Sequence, residues 1–268
     1  MSAPAPVVAG KREGPAGFFA NPLFEFVLRL GDDRLVLGHR LSEWCGHGPI
    51  LEEDIALANI ALDLVGQASA LLKLAGEIEG KGRDEDGLAY FREPIEYRNV
   101  QMVELPRGDF AFTIVRQFLF DAYSVLMLDA LSRCGHPTLA ALGAKSLKED
   151  TYHLRHSSEW MLKLGDGTDE SRARVQGALD ELWRFGGELF ESDAVIAAVA
   201  AEDIAVDMEG IHARWQTMVA DVVKRATLTL PTGTQFASGG RRGRHTEYLG
   251  HLLAEMQSVA RSHPGAKW

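Results

Sequence analysis

Between residues 23 and 44 the apolar side chains Leu23, Val27, Leu30, Leu37, Leu41 and Trp44 recur at three- and four-residue steps, which places them on one stripe of an α-helix. Gly46, Gly48 and Pro49 end that helix, and Glu52, Glu53 and Asp54 then stand where negative charge favours the first turn of a second. The second helix runs to about Gly76 and is apolar nearly all round, so it is expected to be buried nearly all round. Residues 81–87 are charged and glycine-rich, and the stretch up to Pro106 shows no clean period, which predicts a long connection with one short helix. A third helix starts near Asp109 and stops by Gly135, and a fourth follows Pro137 and ends at the LGDGTD turn. Two helical hairpins joined by a long link predict a four-helix bundle.

Beyond the bundle, residues 171–190, 207–225 and 246–260 read as further helices, with the turn-rich TLTLPTGTQFASGGRRGR before the last. No internal repeat or sustained strand alternation interrupts this pattern, so the expected fold is all-α. Its bundle core spans about 23–164 and additional C-terminal helices occupy 171–262, within one domain over 21–268. The first twenty residues, rich in Ala, Pro and Gly and without the apolar core of a secretory signal, read as a disordered extension.

Composition narrows the function. The chain has 268 residues, 46% of them hydrophobic, enough for one sizeable core. Asp and Glu total 38 against 28 Lys and Arg, a formal charge of -10 that repels phosphate backbones and argues against nucleic acid as a partner. Cys45 and Cys134 are too few for a disulfide scaffold or a cysteine zinc site, which suits a reducing cytoplasm, and both are expected to be buried and inert. The most hydrophobic stretch, 55–72, is broken by Asn59, Asp63 and Gln67, so no membrane span is expected.

The polar residues inside the bundle carry the candidate chemistry. Asn59, Asp63 and Gln67 line up on the second helix, Thr113, Gln117, Asp121 and Ser124 on the third, Lys145, Glu149, His153 and His156 on the fourth, and Arg29, Asp33, Arg40 and Glu43 on the first. Such lines are either hydrogen-bonded packing features or the remains of a di-iron carboxylate centre, in which two helices give a Glu each and two give a Glu-x-x-His pair. The second helix contains no histidine, and Gly66 stands three residues after Asp63, so half of that ligand set is missing. The fourth helix keeps an acid before His153, as Asp150 or Glu149, but Lys145 and Lys148 lie close by. An ammonium in a carboxylate pocket does part of what iron would do electrostatically, so Lys145 is the candidate charge substitute. Outside the bundle, Arg241, Arg242 and Arg244 cluster on a glycine-flanked loop, read either as a solvated or ion-paired loop or as a contact for phosphate or carboxylate groups of a partner or cofactor.

The stretches LGDDRLVLGHRLSEWCGHGPILEEDIALANIALDLVGQA, KSLKEDTYHLRHSSEWMLKLGDGTDE, ELWRFGGELF and GGRRGRHTEYLGHLLAEMQ resemble the C subunits of bacterial phenylacetyl-CoA epoxidases, also called ring-1,2-phenylacetyl-CoA monooxygenases. The resemblance covers roughly residues 23–268. It implies a ferritin-like structural subunit without metal or cofactor of its own, paired with a homologous catalytic A subunit bearing the di-iron centre. It also implies an assembly with a small B subunit and a reductase carrying FAD and iron–sulfur, which uses NADPH and O2 to epoxidise the ring of phenylacetyl-CoA in phenylacetate breakdown. On this resemblance Glu43, Asp63, Asp121, Glu149 and His153 match a former metal site; Arg241, Arg242 and Arg244, a local reversal of the acidic field, are the candidates for contact with an acidic partner surface or the CoA phosphates. The alternatives are a self-sufficient ferritin-like di-iron oxidase or oxygenase and a homo-oligomeric binding module.

Overall fold

A computed structural model describes residues 21–266; the extension expected at 1–20 lies outside the described residues. The four bundle helices are α1 (Pro22–Ser42), α2 (Leu51–Glu79), α4 (Phe110–Leu131) and α5 (Pro137–Gly165). The connection between α2 and α4 holds the short α3 (Glu85–Tyr90) and two 3-10 turns. After α5 follow α6 (Asp169–Leu182), α7 (Ala194–Ala200), α8 (Met208–Arg225), α9 (Glu247–Met256) and α10 (Ser258–Ser262). The fold is all-α, a ferritin-like four-helix bundle with additional C-terminal helices.

Local chemistry sets the boundaries. The Asn21 side chain accepts from Phe24 N at 3.1 Å ahead of Pro22, and the Asp109 carboxylate accepts from Phe112 N at 2.8 Å to start α4. Gly80, at φ 67°, closes α2 in the left-handed conformation that glycine adopts without penalty. α1 lies along α2, and α4 along α5, while α2 and α5 touch over a shorter seam. The α1–α2 contact is close because of two glycines: a Cβ at Gly31 would come within 2.9 Å of Leu72 Cδ2, and one at Gly38 within 2.9 Å of Val65 Cγ2.

α4 forms the centre of the core. Phe118, Leu119 and Phe120 are successive residues and all fully buried, so α4 is covered on every side, by α5, α6 and α8 among its neighbours. By length and composition alone α2 and α4 could each cross a membrane, contrary to the expectation of no such segment, because three polar interruptions in α2 do not lower its hydropathy enough. The apolar window of α4 is 94% buried inside the protein, whereas that of α2 is 44% buried.

Other differences have local causes. The helix expected over 171–190 ends as α6 at Leu182 and tightens into 3-10 turns across Gly186 and Gly187, where Gln235 packs closely against the backbone. The last expected helix is broken in two at Gln257, and α7, a short run of Ala, Val and Ile without a period, is an addition to the expected elements. Cys45 is exposed rather than buried, because it falls in the turn after α1, and Cys134 is half-buried.

Candidate site in the bundle interior

Three adjacent charges on α1 organise the site. Successive helical residues point about 100° apart, so Asp32, Asp33 and Arg34 face three different neighbours, and all three are buried. Asp32 takes the Arg92 guanidinium at 2.9 Å and the Arg98 amide at 2.8 Å from the connection. Asp33 takes Arg241 through two hydrogen bonds, 3.0 and 2.8 Å, and the Val100 amide at 2.8 Å. Arg34 points into the bundle, donating from Nε to Gln67 Oε1 at 2.8 Å and from Nη2 to Ser124 Oγ at 2.9 Å.

From Gln67 the network passes to α5. Gln67 Nε2 donates to Asp150 Oδ1 at 2.8 Å and to Glu149 Oε2 at 2.9 Å. His153, fully buried, stands between two acids, with Nε2 3.1 Å from Asp63 Oδ2 and Nδ1 3.5 Å from Asp150 Oδ1. Asp121 on α4 accepts from Gln117 Nε2 at 2.6 Å and from Ser157 Oγ at 2.8 Å. Burial, and then the neighbouring Asp150 charge, push the Asp121 carboxyl well above the usual carboxylate range. A second α2–α5 link lies nearby, His156 Nε2 at 2.8 Å from Glu53 Oε2.

These donors do not fit a di-iron centre. A guanidinium, two carboxamides and two hydroxyls stand among the interior carboxylates and the single imidazole of His153, where a centre of that kind needs four carboxylates and two imidazoles converging on one point. Among the described residues no group of three or more His, Cys, Asp or Glu side chains is arranged to hold a metal ion.

Of the sequence-based candidates, the fold gathers Asp63, Asp121, Glu149 and His153 around the interior, with Asp63 at its solvent edge, 42% exposed. Two others are corrected. Lys145 is not a buried charge substitute: its side chain is 72% exposed and lies 4.0 Å from Glu149. Residues four apart drift about 40° around a helix per step, so Lys145 has rotated out of the interior by two steps from His153. Glu43 caps the end of α1 and pairs with Arg40 at 2.6 Å, away from the network. The interior position on α1 belongs to Arg34, which lies outside the single polar stripe assigned to that helix.

The arginine loop is likewise rearranged. Arg241 is buried on Asp33, where charge pairing holds its guanidinium charged, so it is a structural peg and not an exposed contact. Glu188 anchors the same loop by accepting from the Gly239 and Gly240 amides at 2.8 and 2.6 Å. Arg242 bonds Glu191 at 3.3 Å and Ser238 Oγ at 3.0 Å, and Arg244 is exposed.

The outer face of α2 supplies a second feature. Leu51 and Leu62 are 72% and 69% exposed, Ile50 and Ile55 about half, and Tyr152 on α5 is equally open beside the residue that reaches Asp63. Leu51, Ile55 and Leu62 share one face of α2, and exposed apolar side chains of this size along one face mark a contact surface.

A family model described as phenylacetic acid catabolic protein matches residues 17–268. The chain is 48% identical over 248 residues, 92% of its own length and 100% of the relative's, to the C subunit of 1,2-phenylacetyl-CoA epoxidase from Escherichia coli strain K12.

Proposed function

The chain belongs to the phenylacetic acid catabolic protein family, and on that footing we propose that it is the non-catalytic structural subunit of a cytoplasmic phenylacetyl-CoA epoxidase. In this reading the ferritin-like bundle has kept its shape and lost its metal, Asp63, Asp121, Glu149 and His153 are what remains of the former site, and the di-iron centre resides in a homologous A subunit. A B subunit and a reductase with FAD and iron–sulfur complete the assembly, which consumes NADPH and O2. The observation that carries the reading is the interior itself: Arg34, Gln67 and Ser124 fill with a bound cation and neutral hydrogen bonds the space that metal ligands would need. The partly open apolar face of α2 supports the pairing, because an isolated protein gains nothing from leaving Leu51 and Leu62 in water. Arg242 and Arg244 are the cations of their loop that stand open to an acidic partner surface or to CoA phosphates.

Expression of this chain with and without the A subunit tests the assignment. The role requires a stable complex on co-expression and ring epoxidation that needs both chains. Epoxidation by this chain with the reductase alone would establish the self-sufficient oxygenase instead.

A further inference from the structure

The inference rests on the structural-subunit reading above and concerns how the partner is seated. On α2 the residues Ile55, Asn59, Leu62, Gly66 and Ser69 follow at steps of four, three, four and three, and all five are exposed. That spacing is the seam by which one helix receives another along its length. The seam carries no charge, and Asp63 beside it is already engaged by His153.

Gly66 is the informative position. A glycine within an outward-facing stretch of helix is destabilising relative to alanine, so it persists where something approaches closely. Elsewhere in this hairpin the reason lies within the chain, since Cβ atoms at Gly31 and Gly38 would collide with α2. A Cβ at Gly66 would meet nothing within 4 Å. Gly177 and Gly250 are also open, but Gly177 sits a turn from Arg174 and Asp180 and Gly250 a turn from Glu247, on charged surface. Gly66 alone of these three lies one turn from an exposed leucine in an uncharged seam.

We propose that this seam receives an α-helix of the catalytic partner subunit, presenting a matching apolar stripe, and that Gly66 marks the point of closest backbone approach. The exposed side chains of Ile50, Leu51, Ile55, Leu62 and Tyr152 offer roughly 600 Å2, most of the about 800 Å2 per partner that a standard stable interface buries. Small residues at a crossing let helix backbones come together, as Gly31 and Gly38 do between α1 and α2.

The test compares Gly66→Ala, Gly66→Leu, Leu62→Glu and the control Gly177→Ala, reading the melting temperature of the chain alone and the dissociation constant of its complex with the A subunit. Both alanine variants should raise the melting temperature of the chain alone by about 2–4 °C. Gly66→Ala should nevertheless weaken the complex tenfold or more, Gly66→Leu should weaken it further, and Gly177→Ala should leave it unchanged. Normal binding by both Gly66 variants, with Leu62→Glu disrupting the complex, would overturn the close approach alone. Normal binding by all four would remove α2 from the interface, and an unmodified chain that binds no A subunit would sink the underlying role. Self-association lost in Gly66→Leu without any partner present would make a second copy the occupant and overturn the proposal.

Discussion

Arg34 and Asp150, the buried cation and buried anion of the bundle interior, are joined through one carboxamide: Gln67 accepts from Arg34 Nε at 2.8 Å and donates to Asp150 Oδ1 at 2.8 Å. The amide dipole is thus aligned between the two charges, and each is stabilised without direct contact. A metal centre would place its positive charge among the carboxylates. Here the charge is covalently part of α1 and set one side chain away.

Arg34 is therefore expected to matter far more to stability than the exposed lysine on α5. Arg34→Met leaves Gln67 Oε1 and Ser124 Oγ without their donor and Asp150 without its cation, at a cost of about 2–4 kcal/mol. Lys145→Met should change stability by no more than about 0.5 kcal/mol. Denaturant unfolding of both variants measures the difference, and equal effects would remove Arg34 from the centre of the network.

Asp121 makes stability depend on pH. Its folded-state carboxyl holds the proton above the ordinary value of 3.8, so the folded protein binds more protons than the unfolded chain in the interval above that value. The contribution of this group is fully present below 3.8 and is lost as pH rises through the raised folded value. Asp121→Asn keeps an acceptor for Gln117 and removes the titration, so its stability should fall less between pH 5 and 8 than that of the unmodified chain. At pH 8 it should be the more stable of the two by about 1–3 kcal/mol in denaturant unfolding. A variant with an unchanged pH profile would mean that Asp121 ionises normally.

The Asp33–Arg241 pair fastens the loop after α8 to α1. Arg241→Gln strands a buried carboxylate, at an expected cost of about 3–5 kcal/mol, whereas Asp33→Asn with Arg241→Gln should cost less than the sum of the single changes. A double-mutant cycle gives the coupling directly. Strict additivity would show that the two side chains do not depend on each other.

The bundle is legible in the sequence because most of its boundaries are local: the Gly46, Gly48 and Pro49 cluster, Asp109 and Pro137 act within a turn of themselves, whereas α2 runs past its expected end near Gly76 to the left-handed cap at Gly80. The interior is less so. Asn59, Asp63 and Gln67 look like one line, but two four-residue steps turn the helix by about 80°, so Asn59 lies toward the outer face and Gln67 is buried. Arg34 escapes a reading that gives α1 one polar stripe, because α1 is buried on every side: Asp32 and Asp33 are paired with Arg92 and Arg241, the latter 208 residues away from Asp33, and Arg34 is hydrogen-bonded to Gln67. The adjacent Asp32, Asp33 and Arg34 are the available signal: three consecutive charges cannot share one face.

Glu149→Ala and His153→Ala should leave the turnover of the assembled epoxidase within a few-fold of the unmodified complex. Neither side chain then supplies a ligand or a proton at the reaction centre, although each removes a contact between α2 and α5. Steady-state epoxidation by complexes matched for assembly is the measurement. A loss of about a hundredfold in a normally assembled complex, the scale of an essential acid–base group, would place catalysis in this chain.

The iron content of this chain, purified alone from iron-supplemented cells, decides whether Arg34 and its hydrogen-bonded neighbours have replaced a metal centre. Far less than one iron per chain is expected, unchanged on anaerobic addition of ferrous iron. Two irons per chain, bound stoichiometrically and lost in His153→Ala, would contradict that replacement.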